Sequence, residues 1–387
     1  MTEQVSAKPR TRLFFVDNLR IYLTVLVILV HAGLAYGGMG NWYLSDPAVD
    51  DISPIFLTFF NAVTQAYFMS AFFLLAGYFT PRSFERKGTK QFLIDRLIRL
   101  GIPLVIYTTI IWSINEYLIA NLMLRQGVSF WTIIKSALRQ YQPGHLWFLQ
   151  LLLVFAAVYV IFRALADRRA QDKLIQLYQD RFPPDTILFL CIGVLTVLTF
   201  AEHLVFPVGK AIFLNFQAGF FVHYAFCFYV GVLAYRGDWF RRLSKAQARR
   251  WGILSLVVIP LFFVMFLLGG ALEGEENVAK FMGGPYWQAL AFALWLTFLM
   301  VAIIVFLLYY FRERFNRAGP TARSMSANVY TVYIIHQTVL VALHILMLPV
   351  PIPTIGKFVI VSAIAVPVCF LLSGLVRRIP YAKRVLG

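Results

Sequence analysis

Arg20 and His31 stand eleven positions apart at the start and middle of one apolar run. On an α-helix, eleven residues advance about 16 Å and turn to within about 20° of three full turns. The guanidinium and the imidazole therefore share one helix face. A neutral imidazole can take the proton of a hydroxyl that attacks a thioester. A guanidinium fork matches phosphate with paired hydrogen bonds. A donor with an anionic head and a long thin arm, the shape of acyl-coenzyme A, would dock its phosphates on Arg20 and extend its reactive end to His31. The plainer alternative is a structural histidine bonded to a neighbouring helix, with Arg20 as an anchor at the membrane surface.

Other residues offer related chemistry. His336 follows Asn328–Ile335 and is expected near mid-membrane, either touching substrate or supporting His31 through a hydrogen bond; a structural role is the alternative. His145 and Trp147 open a later apolar run in Pro143–Leu149. There an aromatic face could pack on a sugar ring, although Trp is also common at membrane interfaces. Arg96 and Arg99, at i and i+3 of a helix start, could clamp donor phosphates together with Arg20. They also read as ordinary basic residues on the inner membrane face. His203, His223 and His344 are expected to be structural.

The elements that must hold these groups are set by composition. The chain of 387 residues is 60% hydrophobic and 14% charged, with a mean hydropathy of +0.72. A soluble domain carries about 25% charged residues, so lipid must cover much of this surface. The reading is an all-α integral membrane protein, a single transmembrane domain over 1–387 with a polar N-terminal tail at 1–16. Runs long enough to span a bilayer fall at 19–38, 55–79, 98–124, 145–166, 185–205, 217–235, 252–272, 287–311, 327–348 and 355–376. They predict a bundle of about ten transmembrane helices. Asn115 and Glu116 interrupt the third run.

Charge gives the orientation. Of the 35 basic residues, all but Arg125, Lys135, Arg139, Lys210, Lys280 and Lys357 fall in one alternate set of connections or in the two ends of the chain. By the positive-inside rule that side is cytoplasmic and so are both termini. The net charge of +17 thus marks a membrane face. No soluble basic patch is present that would suit a nucleic acid. Cys191, Cys227 and Cys369 lie in apolar runs without metal-ligand spacing, and no metal is expected. No A-x-A cleavage site closes the first apolar run, which is read as a retained helix.

Several segments resemble acyltransferase family 3. Asp17–Asn18–Leu19–Arg20 followed by His31 is similar to the family's first-helix pattern. Phe72–Phe73–Leu74–Leu75–Ala76–Gly77–Tyr78–Phe79 resembles its Phe-Phe-Leu-x-Ser-Gly-Tyr-Phe stretch, with Ala76 where Ser is usual. Arg96, Arg99 and Pro103, the segment His145–Leu149, and Tyr330, Tyr333 and His336 follow in the family's order. The resemblance implies ten membrane helices and transfer of an acyl group from cytoplasmic acyl-CoA to a hydroxyl, commonly on a carbohydrate outside the cytoplasm. His31 would be the base; Arg20, Arg96 and Arg99 would hold the donor; His145, Trp147, Tyr333 and His336 would meet the acceptor. Similarity to a glucan-succinylating branch leaves succinyl-CoA and acetyl-CoA both open as donors and points to a glucan acceptor in the cell inner membrane. A transporter or flippase for a glycan or acyl donor, without chemistry, is the competing class. No internal repeat of the kind transporters often carry stands out.

Overall fold

The computed structural model describes residues 12–40, 42–165, 181–212 and 216–386. Lys8, Arg10, Arg168, Arg169 and Lys173, counted above toward the basic side, lie outside them, as does most of the 1–16 tail. The described chain is helical apart from loops and a two-residue antiparallel pair, Ala211–Ile212 with Phe216–Gln217. In lipid, helices satisfy every backbone N–H and C=O within their own segment.

The principal helices are α1 (Phe14–Ala35), α2 (Ser53–Arg96) and its continuation α3 (97–123), then α4 (Phe130–Arg139) and α5 (Trp147–Leu165). They are followed by α6 (Asp185–Val205), α7 (Phe221–Gly237), α8 (Lys245–Leu268), α9 (Trp287–Arg314), α10 (Pro320–Met347) and α11 (Thr354–Val376). The most buried is α9, followed by α1 and α10, and these form the centre of the bundle. Peripheral α8 turns Leu256, Leu267 and Leu268 outward, the last 73% exposed. Such exposure of bulky apolar side chains is stable only against lipid.

Eight helical runs among the described residues are long and apolar enough to cross a membrane, against ten from the sequence. The difference has two sources. The expected spans 55–79 and 98–124 belong to one continuous run of 71 residues, Ser53–Met123. The expected span 217–235 falls on α7, whose 17 residues reach about 25 Å, short of a hydrocarbon layer about 30 Å thick.

The long run bends at Gly88, where φ 70° and ψ 172° lie in a region that is open almost only to glycine. Beyond the bend, α3 contains three wide π-helical turns, Leu97–Gly101, Tyr107–Ile111 and Ile119–Met123. Such turns insert a residue, re-aim the side chains that follow and are frequent at functional sites.

Helices α2 and α7 cross closely through Gly77 and Gly231. A Cβ on Gly77 would collide with the carbonyl oxygen of Phe228, and one on Gly231 with that of Leu74. Small residues permit this approach between membrane helices. Gly77→Ala is expected to cost roughly 1–3 kcal/mol through overpacking, read as a lower melting temperature in detergent. Gly193→Ala on α6, where an added methyl meets nothing within 4 Å, is expected to leave the melt unchanged.

Candidate active site

Three helices bring three histidines together. His31 lies on α1, His336 on α10, and His145 in the single turn Gly144–Leu146 that leads into α5. The ring centroids of His31 and His336 are 4.9 Å apart, those of His145 and His336 4.5 Å, and those of His31 and His145 6.1 Å. His145 therefore sits inside the bundle, 4% exposed, although it opens its apolar run.

The hydrogen bonds define the tautomers. His31 Nδ1 lies 2.7 Å from the carbonyl oxygen of Val27, one helical turn earlier. A carbonyl only accepts, so Nδ1 carries the proton and Nε2 keeps its lone pair. His336 Nδ1 donates in the same way to the Tyr333 carbonyl at 2.8 Å, which leaves its Nε2 lone pair 3.3 Å from His31 Nδ1. The His31 N–H is thus shared between a carbonyl and a second imidazole. His145 Nε2 donates to the same Tyr333 carbonyl at 2.6 Å, and the Tyr333 hydroxyl donates back to the His145 carbonyl. Tyr333 consequently positions two of the three rings.

A second layer locks the cluster. The Tyr107 and Tyr43 hydroxyls are 2.7 Å apart. Both bond Gln337 Oε1, Tyr43 at 3.0 Å. Tyr107 packs edge-on to His145 at 4.8 Å. Trp42, next to Tyr43 on the loop between α1 and α2, covers His31 with ring centroids 5.2 Å apart. Sequence reasoning did not single out Trp42, Tyr43, Tyr107 or Gln337. Only Gln337, adjacent to His336, stands beside a residue of interest.

His31 and His145 line a cavity of about 760 Å³ whose walls also include Trp147, Tyr333, Gln337 and Glu116. Loop residues Met39, Gln142, Val208 and Gly209 contribute to it. Trp147 stacks on Tyr224 with centroids 5.3 Å apart and planes 24° apart. No group of three His, Cys, Asp or Glu side chains among the described residues is arranged to hold a metal ion.

The arginines stand apart from this cavity. Arg20, Arg96 and Arg99 do not line it. Arg96 lies over the Phe92 ring at 5.0 Å. The carbonyl of Arg99 accepts the Tyr330 hydroxyl, which joins α3 to the helix that carries His336. The guanidinium of Arg20 has no hydrogen bond or ion pair among the described residues. The other histidines make internal contacts: His223 Nε2 with Thr199 and Thr297 hydroxyls at 3.1 and 3.0 Å, His203 Nε2 with the Gly219 carbonyl at 2.9 Å, and His344 stacked on Tyr36.

The profile of the acyltransferase domain matches residues 13–374, nearly the whole chain. The chain belongs to acyltransferase family 3. Within this family it is similar to glucans biosynthesis protein C of Salmonella schwarzengrund, 27% identical over 176 residues, which is 44% of each chain. The same share and identity hold for glucans biosynthesis protein C of Salmonella typhi. The protein of that name from Escherichia coli K12 is 26% identical over 271 residues, 67% of this chain and 66% of the relative. The match thus takes in less than half the length of the first of these relatives. No solved structure matches the chain. The family places an acyltransferase in the membrane, and the site just described lies within the matched region.

Proposed function

We propose that this protein is a membrane O-acyltransferase that moves an acyl group, acetyl or succinyl, from cytoplasmic acyl-CoA to a hydroxyl of a carbohydrate outside the cytoplasm, a glucan by analogy with its relatives. The observation that carries the reading is His31, held with Nδ1 protonated and Nε2 without a partner among the described residues, at the wall of a cavity large enough for a sugar. On this reading the chain crosses the cell inner membrane ten times. Its short α7 counts as a span, the Ser53–Met123 run counts as two, and both termini are cytoplasmic.

In the reaction, the acceptor hydroxyl oxygen bonds to the thioester carbonyl carbon while His31 Nε2 takes its proton. The C–S bond then breaks, and the leaving thiolate takes the proton back from Nε2. The imidazolium formed in between is stabilised through Nδ1–H by the Val27 carbonyl and the His336 Nε2 lone pair. His336 acts through His31 as a positioning residue, with Tyr333 holding it. Arg20, one face of α1 and about 16 Å away, with Arg96 and Arg99, holds the donor phosphates.

Purified protein supplied with labelled acetyl-CoA or succinyl-CoA and a gluco-oligosaccharide is expected to yield labelled saccharide and saccharide-dependent thiol release. Movement of saccharide or donor with neither label transfer nor thiol release would favour the transporter reading instead. Arg20→Ala is expected to raise KM for acyl-CoA roughly tenfold or more, the loss of a charge-assisted hydrogen bond, with little change in kcat. An unchanged KM would remove Arg20 from the donor site.

A further inference from the structure

Among the described residues that line the cavity beside His31, Glu116 is the single formally charged side chain, with no Lys, Arg or Asp beside it. Glu116 lies in the regular helical turn Trp112–Leu118 between two π-helical turns of α3. Four residues apart on that turn, Trp112 and Glu116 project from one helix face, and both line the cavity. Neither side chain has a hydrogen bond, ion pair or ring partner among the described residues. Trp147 and Tyr224, by contrast, are spent on each other as a stacked pair.

A third group points the same way. Asn61, on α2 and 5% exposed, lines the same cavity, and both its amide oxygen and its amide nitrogen lack a partner among the described residues. Its side chain is wedged between the backbones of Gly33 and Gly38, where an added Cβ would press on it. A buried amide without partners costs stability unless something bonds it. Together the wall offers an apolar ring face, an acceptor-only carboxylate and an amide that both donates and accepts. A polyhydroxylated ring satisfies all three: its C–H face packs on indole and its hydroxyls donate to the carboxylate and pair with the amide.

Resting on the acyl-transfer reading, we propose that Trp112, Glu116 and Asn61 form the acceptor subsite, and that Glu116 makes it selective for uncharged saccharides over saccharides that carry carboxylates. With no cation among the described wall residues, a second carboxylate brought into this cavity meets uncompensated repulsion. A sugar hydroxyl meets an acceptor. Selection here works by exclusion as much as by attraction.

The test measures binding without donor, so that it does not depend on acyl transfer. Titration calorimetry at pH 7 compares a neutral gluco-oligosaccharide with a uronate-containing oligosaccharide of equal length. The wild-type protein is expected to prefer the neutral ligand at least tenfold. In Glu116→Gln that ratio is expected to collapse to within about threefold, chiefly because the uronate binds more tightly. Trp112→Ala is expected to weaken both ligands together. Equal wild-type affinity for the two ligands, or binding of neither, overturns the subsite, and so does an unchanged ratio in Glu116→Gln. Selective binding by a protein that transfers no acyl group would uphold the subsite and refute the acyl-transfer reading.

Discussion

His31→Ala is expected to lower kcat for acyl transfer roughly 10²–10⁴-fold, the usual worth of a positioned general base, while KM for the donor changes little. The reasoning is stereochemical. With Nδ1 committed to Val27 and His336, Nε2 is the one nitrogen of that ring able to receive a proton from the acceptor. Removing the ring leaves no replacement at the same place, because His336 is fully buried and does not line the cavity, and the free nitrogen of His145, Nδ1, is itself buried. Steady-state kinetics on purified protein checks this, with the melting temperature as a control for folding. His336→Gln is expected to give a smaller loss and a shifted pH profile of kcat, since it changes the basicity of His31 without touching substrate. Retention of wild-type kcat in His31→Ala would exclude it as the base.

Asp46→Ala is expected to destabilise the fold by roughly 3–5 kcal/mol, the cost of leaving one charge of a buried pair without its partner. Asp46 Oδ2 accepts from Lys357 Nζ at 2.7 Å, and the two side chains are only 1% and 2% exposed. The pair ties the loop between α1 and α2 to α11, and that loop carries Trp42 and Tyr43 onto the histidine cluster. Loss of activity should therefore accompany the loss of stability. Replacing both members, Asp46→Leu with Lys357→Met, is expected to recover much of the melting temperature, because two apolar side chains leave no orphaned charge. If Asp46→Ala melts like the wild type, the pair does not hold the loop.

Asp50 reinforces the same loop. Its carboxylate accepts from the Thr354 hydroxyl at 2.5 Å, the Ser53 hydroxyl at 2.7 Å and the backbone N–H groups of Ser53 and Thr354 at 2.7 and 3.1 Å. It thus joins the first turns of α2 and α11. These bonds, that from Thr354 foremost, hold its carboxyl well below the usual range. A depressed carboxyl contributes its stability above the unfolded value of about 4 and loses it as pH falls toward the folded value.

Much of this site was legible before any coordinates. His31 and His336 stood out because ionisable groups are costly in lipid, His145 because it opens an apolar run beside Trp147, and Tyr333 through the resemblance to acyltransferase family 3; the structure brings these four together. Helix positions were legible because apolar runs of bilayer length leave few alternatives. The number of separate spans was not, since hydropathy does not register that α2 and α3 form one bent run or that α7 is short. Trp42 and Tyr43 were hidden because a loop that folds back over a cavity has no periodicity to announce it. Tyr107 was hidden for a different reason: three π-helical turns shift the faces of α3 away from a 3.6-residue repeat. Glu116 registered only as an interruption of an apolar run, and its role required the cavity to be seen.

The central claim is transfer across the bilayer, with donor and acceptor meeting at His31 from opposite sides. Sealed proteoliposomes test it directly, with labelled acyl-CoA enclosed and gluco-oligosaccharide outside. The account predicts labelled saccharide in the outer medium, and none when both substrates are confined to the same side. Transfer only when donor and acceptor share a compartment would contradict it.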